Sequence, residues 1–182
     1  MRRPAEAVRR FLLFLLVLLA LSPQTQAQAQ AQAPEAELKA AILINMLLFV
    51  NWPTQASQPT DRLTLCYLDA GPVTAVLDLL GGKIIKGKPL QVLRVNATTA
   101  AGCHALYLSP NDSTGLTRVV PNLRSSGVLF VGDSPGYLQR GVMINLEVDN
   151  GHIVFDIDLR SARQAGLMLS SKALRLARKV VE

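Results

Sequence analysis

Residues 141–181 read GVMINLEVDNGHIVFDIDLRSARQAGLMLSSKALRLARKVV, and the first half of that stretch decides the fold. An apolar segment (142–148) runs into Asp149-Asn150-Gly151 and then into 152–158, where Ile153, Phe155 and Ile157 alternate with polar residues. In that second segment His152, Asp156 and Asp158 share one face and the apolar side chains share the other, the period-two pattern of a half-buried strand. Asn150-Gly151 can take the positive φ angles of a two-residue hairpin turn, so the two strands are expected to pair antiparallel. Downstream, Asp158 or Ser161 can cap a helix whose small and apolar residues, from Ala162 to Val180, recur at three- and four-residue steps. Gly166 and Ser170-Ser171 leave room for a break and a second cap within it.

Upstream of the hairpin, the segments 63–68, 103–109 and 127–132 are short apolar runs. The helical patterns 72–80 and 113–125 alternate with them. Short runs of this kind between helices mark strands buried on both faces of a largely parallel sheet. The expected fold is therefore α/β: a single-domain three-layer sandwich with a mostly parallel central sheet, an antiparallel hairpin near the C-terminal end and helices on both faces. A first helix begins at Glu35, where Glu35 and Glu37 favour its dipole, carries the stripe Leu38, Ala41, Ile42, Met46 and Phe49, and ends by Trp52 because Pro53 follows. A polar linker (54–61) and two short strands around Gly87 fill the remainder, and Asp133 with Ser134 can cap a short helix at 135–139.

The N-terminus carries Arg2, Arg3, Arg9 and Arg10, then an apolar run at 11–21, then an Ala-Gln alternation with several small-x-small sites. This is the pattern of a cleaved secretory signal peptide (residues 1–27), with cleavage after Ala27 expected and Ala29 or Ala31 as neighbours. The apolar run would make a helix of about 16 Å, short of a bilayer core of about 30 Å, so a retained anchor is the weaker reading. Residues 28–34 form a low-complexity Ala/Gln linker expected to be disordered, and 35–182 a single domain. Without residues 1–27 the chain carries 15 basic and 12 acidic side chains, a net charge of +3 rather than +6. That scattered residue of charge, with no basic run interleaved with aromatics, argues against a nucleic-acid partner.

Cys66 and Cys103 are the only cysteines. In an oxidising compartment a single disulfide between them is the simplest expectation. A catalytic thiol formed with His104 is the rival, but adjacent strand residues point to opposite faces. Gly81-Gly82-Lys83 suggests a phosphate loop, yet the rest of that motif is missing and a turn with solvated lysines fits better. Trp52, the only tryptophan, reads either as a core or hinge residue or as a partner-binding anchor. Two catalytic or metal constellations come into view: His152, Asp156 and Asp158 as ligands, and Asp133 with His104 as an acid-base pair. Neither is complete.

Lys39-Ala40-Ala41 with Asn45, Phe49 and Trp52-Pro53, Cys66, Cys103-His104 before an apolar strand, Gly141-x-Met143-Ile144-Asn145, Phe155-Asp156-Ile157 and Leu169-Ser170-Ser171-x-x-Leu174-x-Leu176-Ala177 together resemble the YfiR family. The resemblance spans nearly the whole chain after the signal peptide. It implies an exported bacterial α/β protein, without enzymatic chemistry, catalytic residues, cofactor or metal. Its partner would be the periplasmic domain of an inner-membrane diguanylate cyclase or a similar membrane sensor, which it holds inactive, lowering cyclic di-GMP and biofilm formation. A homodimer is a further expectation. The chain departs from the family in lacking a second cysteine pair and in carrying Asp158 where Asn is common. Partner contacts are expected at the Trp52-Pro53 corner and around Arg175. The alternative is a periplasmic small-ligand sensor or solute-binding module, since sheets of this type open clefts at their strand ends.

Overall fold

The computed structural model describes the backbone of residues 25–53, 59 and 61–182, and side chains from Glu35 onward. The stretch read as an export signal, apart from its last few residues, and most of the linker at 54–60 lie outside the described residues. Helix α1 (Thr25–Leu48) starts ahead of Glu35 and takes in the Ala/Gln stretch read as a linker, because Ala and Gln are themselves good helix formers. Ala36, Ala40, Leu43 and Leu47 of α1 are buried, a stripe at helical spacing that faces the core. After α1 come β1 (Val50–Asn51), β2 (Leu63–Tyr67), α2 (Pro72–Leu79), β3 (Ile84–Ile85) and β4 (Lys88–Arg94). Then follow β5 (Ala105–Leu108), α3 (Ser113–Leu123), β6 (Leu129–Gly132), β7 (Ile144–Asp149) and β8 (His152–Asp158). The chain closes with α4 (Leu159–Gln164), β9 (Met168–Leu169), α5 (Ser171–Leu176) and β10 (Lys179–Val181).

Eight strands form the main sheet in the order β10-β8-β7-β6-β5-β2-β4-β3. The run from β7 to β4 is parallel throughout, and every residue of β2, β5 and β6 is buried, as their unbroken apolar runs require. From β2 the chain moves to β4 through α2, then returns past β2 to β5 and continues through α3 to β6. Parallel crossovers are right-handed, so two that travel in opposite directions place their helices on opposite faces. This is the three-layer α/β arrangement expected from sequence. Its topological switch point lies between β2 and β5, where the Cys66–Cys103 disulfide, with Cα atoms 6.0 Å apart, ties β2 to the segment entering β5.

The β7–β8 hairpin forms as read, with Asp149 opposite His152 and positive φ at Asn150 and Gly151. The long helix expected after it does not. Gly166, at φ +76°, ends α4 with its N–H on the Arg163 carbonyl and the Leu167 N–H on the Ala162 carbonyl, a left-handed helix stop that glycine takes without steric cost. β9 then pairs antiparallel with β1, and Ser170 caps α5 by accepting from the Ala173 N–H. Beyond Ala177 the chain becomes β10, parallel to β8. Val180 and Val181 suit a strand, and β8 offers them an open edge. The short helix expected at 135–139 is instead a single 3₁₀ turn at Leu138–Arg140, because Asp133 is engaged elsewhere.

Candidate functional site

At the C-terminal ends of β5 and β6, where ligands bind in sheets of this topology, four elements converge on a buried polar cluster. Lys39 lies in phase with Ile42 and Met46 on α1, so its stem packs inward while its ammonium reaches the strand ends. Its Nζ stands 2.5 Å from Asp133 and 2.6 Å from Glu35 one turn earlier. Asp133, directly after β6, also accepts a hydrogen bond from the Tyr107 hydroxyl at 2.9 Å. Gly132 precedes it because a Cβ there would meet Asn145 Oδ1 and Tyr137 Cδ2 at 2.8 Å. Asn145 closes the turn, its Nδ2 donating to the Ser134 carbonyl at 3.0 Å. One strand over, Asp112 accepts from the Ser109 N–H at 2.6 Å and the Tyr137 hydroxyl donates to the Ser109 carbonyl at 2.8 Å. The Ser109 hydroxyl and one Asp112 oxygen are buried and make no well-formed hydrogen bond among the described residues.

Burial pushes the Asp133 and Asp112 carboxyls above their usual range, with Lys39 and Tyr107 pulling Asp133 back down and the Ser109 side chain and amide pulling Asp112. Burial works to lower the Lys39 pKa, but its bonds to Asp133 and Glu35 outweigh that and leave it raised. Burial also raises Tyr107, reinforced by the charge of Asp133. Lys39 is therefore a protonated clamp rather than a nucleophile, and Tyr107 a fixed donor. Such a cluster can hold α1 on the sheet or bind a polar group.

The constellations read from sequence come apart in three dimensions. His104 precedes β5 and Asp133 follows β6, so parallel strands put them at opposite ends of the sheet, about 16 Å of strand apart. His104 Nδ1 instead accepts from the Thr64 N–H at 3.0 Å, and burial with the charge of Lys88 lowers its pKa. His152 and Asp156 are four strand residues apart, about 13 Å, too far for one ion. Asp156 binds Arg178 at 2.6 Å, and Asp158 caps α4 through the Ser161 N–H at 2.9 Å. No group of three metal-ligating side chains occurs among the described residues. Gly82 belongs to a structural turn, its N–H donating to the Leu90 carbonyl.

Of the partner-contact residues, Trp52 is half-buried. Its Nε1 donates to the His104 carbonyl at 2.7 Å, with its ring edge-on to the imidazole. Pro53 abuts Gly166, and Arg175 is exposed on α5. Beside Arg175 lies a groove of about 390 Å³ between α1 and α5, floored by Phe155. Ile42, Met46 and Phe49 form one wall and Leu176 the other, with Asn45 and Lys172 its polar members. The Lys172 ammonium sits over the Phe49 ring, 5.4 Å from its centroid. Leu38, Leu48 and Leu176 are 54%, 43% and 56% exposed. Sequence reading placed Ile42, Met46 and Phe49 in one apolar stripe without separating its core side from its open side. It also missed the Lys39–Asp133 pair, whose signal was a charged residue in phase with that stripe.

A family model described as YfiR/HmsC-like matches residues 36–178. The chain belongs to the YfiR/HmsC-like family. No curated protein matches it individually. Among solved structures, this YfiR/HmsC-like chain resembles an ABC domain from Streptococcus pneumoniae in complex with L-Trp, with a TM-score of 0.58 and 11% identity over 78% of the chain. A conserved domain protein from Vibrio cholerae gives a TM-score of 0.53 and 12% identity over 80%. The chain spans 60% of each of those proteins, and at such identities the likeness is one of fold. No described helix is long and apolar enough to cross a membrane.

Proposed function

We propose that this YfiR/HmsC-like protein is an exported regulatory binding protein that represses a membrane-bound diguanylate cyclase through the cyclase's periplasmic domain, lowering cyclic di-GMP and biofilm formation. The observation that carries the reading is the family match over 36–178, which takes in nearly the whole described domain. The open apolar groove beside Arg175 supports it, because a protein that acts by association needs desolvated anchors. Residues 1–27 direct export, 35–182 act as one domain, and Arg175 belongs to the contact surface. The Trp52-Pro53 corner is a second part of that contact surface. The test is direct binding: the purified mature protein should form a complex with the purified periplasmic domain of the cyclase encoded beside it, and absence of binding at tens of micromolar would defeat the proposal.

A second reading, a periplasmic small-ligand sensor, rests on the buried Ser109 hydroxyl and Asp112 oxygen near the switch point, which make no well-formed hydrogen bond among the described residues. The L-Trp complex of the streptococcal domain lends it support. Calorimetric titration with L-Trp separates the readings, since a sensor should bind it and a repressor has no such requirement.

A further inference from the structure

The groove between α1 and α5 differs from the rest of the surface in two respects at once. Its walls and floor are apolar side chains from three elements. Its flanking cations also lack acidic partners. Lys172 is the only charged residue lining it, and Arg175 stands exposed one turn along α5. Among the described residues neither has a carboxylate within ion-pair distance. Arg178, by contrast, is held by both Asp156 and Glu147 at 2.6 Å. On the far side, Leu38, Ala41, Asn45 and Leu48 continue the open face of α1 at 3-4-3 steps, the spacing that accepts another helix.

We infer that this groove receives an amphipathic helix of a protein partner, apolar on the inserted face and acidic along the edge that meets α5. The regulatory reading above bears only on which partner supplies that helix. Helix-in-groove recognition places anchors at i, i+3 or i+4, and i+7. The row of open sites along α1 fits that spacing, and a carboxylate at the margin would meet Lys172, whose ammonium is held by the Phe49 ring and by no carboxylate among the described residues. A second copy of this chain fits worse. A two-fold contact centred on the groove would bring the Lys172 and Arg175 of both copies together, a like-charge opposition that disfavours association.

Two synthetic 18-residue helical peptides serve as probes, both with Leu and Ala on one face, one carrying Glu at the edges and the other Lys at the same positions. By fluorescence anisotropy at physiological salt, the purified mature protein should bind the Glu peptide at least ten-fold more tightly than the Lys peptide. The double variant Lys172→Glu, Arg175→Glu should reverse the order, with an unchanged melting temperature showing that the domain is intact. Equal binding of both peptides, binding of neither, or an unreversed preference overturns the inference. So does a dimer in sedimentation velocity that dissociates when Ile42 is replaced by Asp. The assay contains no cyclase, so its failure leaves the repressor reading standing. A positive result beside unchanged cyclic di-GMP in cells would remove the repressor reading and keep the groove.

Discussion

Replacing Lys39 by Met tests whether the buried cluster holds α1 on the sheet. Lys39 Nζ lies 2.5 Å from Asp133, and the two side chains are only 9% and 5% exposed. Removing the ammonium leaves a buried carboxylate whose remaining described partner is the Tyr107 hydroxyl. Loss of one member of a buried pair costs about 3–5 kcal/mol, and in a domain of this size each kcal/mol moves the melting temperature by about 2–4 °C. A fall of roughly 10 °C is expected, read by thermal and urea unfolding. The pH dependence has a definite sign. Burial already holds Asp133 above the usual carboxylate range, so the folded protein takes up its proton more readily than the unfolded chain. Stability tied to this group is present at low pH and is lost as pH rises through the folded pKa. Without Lys39 that pKa climbs further, so the deficit of the variant should be largest at neutral pH and should narrow on acidification. Adding Asp133→Asn, which removes the buried charge, should recover most of the loss. A deficit below about 1 kcal/mol, or one equal at pH 5 and pH 8, would refute the reasoning.

Wild-type stability tied to Lys39, whose pKa is raised, should persist below the ordinary lysine value and fall as pH rises past it, seen as an alkaline unfolding step that Lys39→Met lacks. Replacing Cys66 by Ser opens a covalent loop of 37 residues and should cost about 3–4 kcal/mol in chemical denaturation; a variant as stable as the oxidised parent would contradict the structural role of the bond. Mass spectrometry of the exported protein should find an N-terminus between residues 28 and 34, and recovery of a full-length membrane-bound chain would refute it.

The centre of the sheet was legible because its strands carried their own marks: uncharged runs for β2, β5 and β6, and Asn150-Gly151 for the β7–β8 turn. Those marks are local, and local signals survive without knowledge of what packs against them. The C-terminal segment misled because Ala162 to Val180 keeps a helical period across Gly166. Only the open edges of β1 and β8 decide that Met168–Leu169 and Lys179–Val181 become strands. For the site, the single residues Arg175, Asp158 and Asp133 were noticed, but their roles depended on topology. Parallel strands separate His104 from Asp133 and bring Lys39 to it from a helix almost a hundred residues earlier in the chain, a pairing that no spacing along the sequence encodes. The groove was unreadable for a related reason: Ile42 and Phe155 become neighbours only once α1 lies across β8.

The most direct test of the repressor reading is the intracellular concentration of cyclic di-GMP, measured by mass spectrometry in a strain lacking this gene and carrying either the full chain or a version without residues 1–27. The account expects cyclic di-GMP to rise on deletion, to return to the parental level with the full chain, and to stay high with the version that cannot be exported. Cyclic di-GMP unchanged by the deletion, while the neighbouring cyclase is expressed, would contradict it.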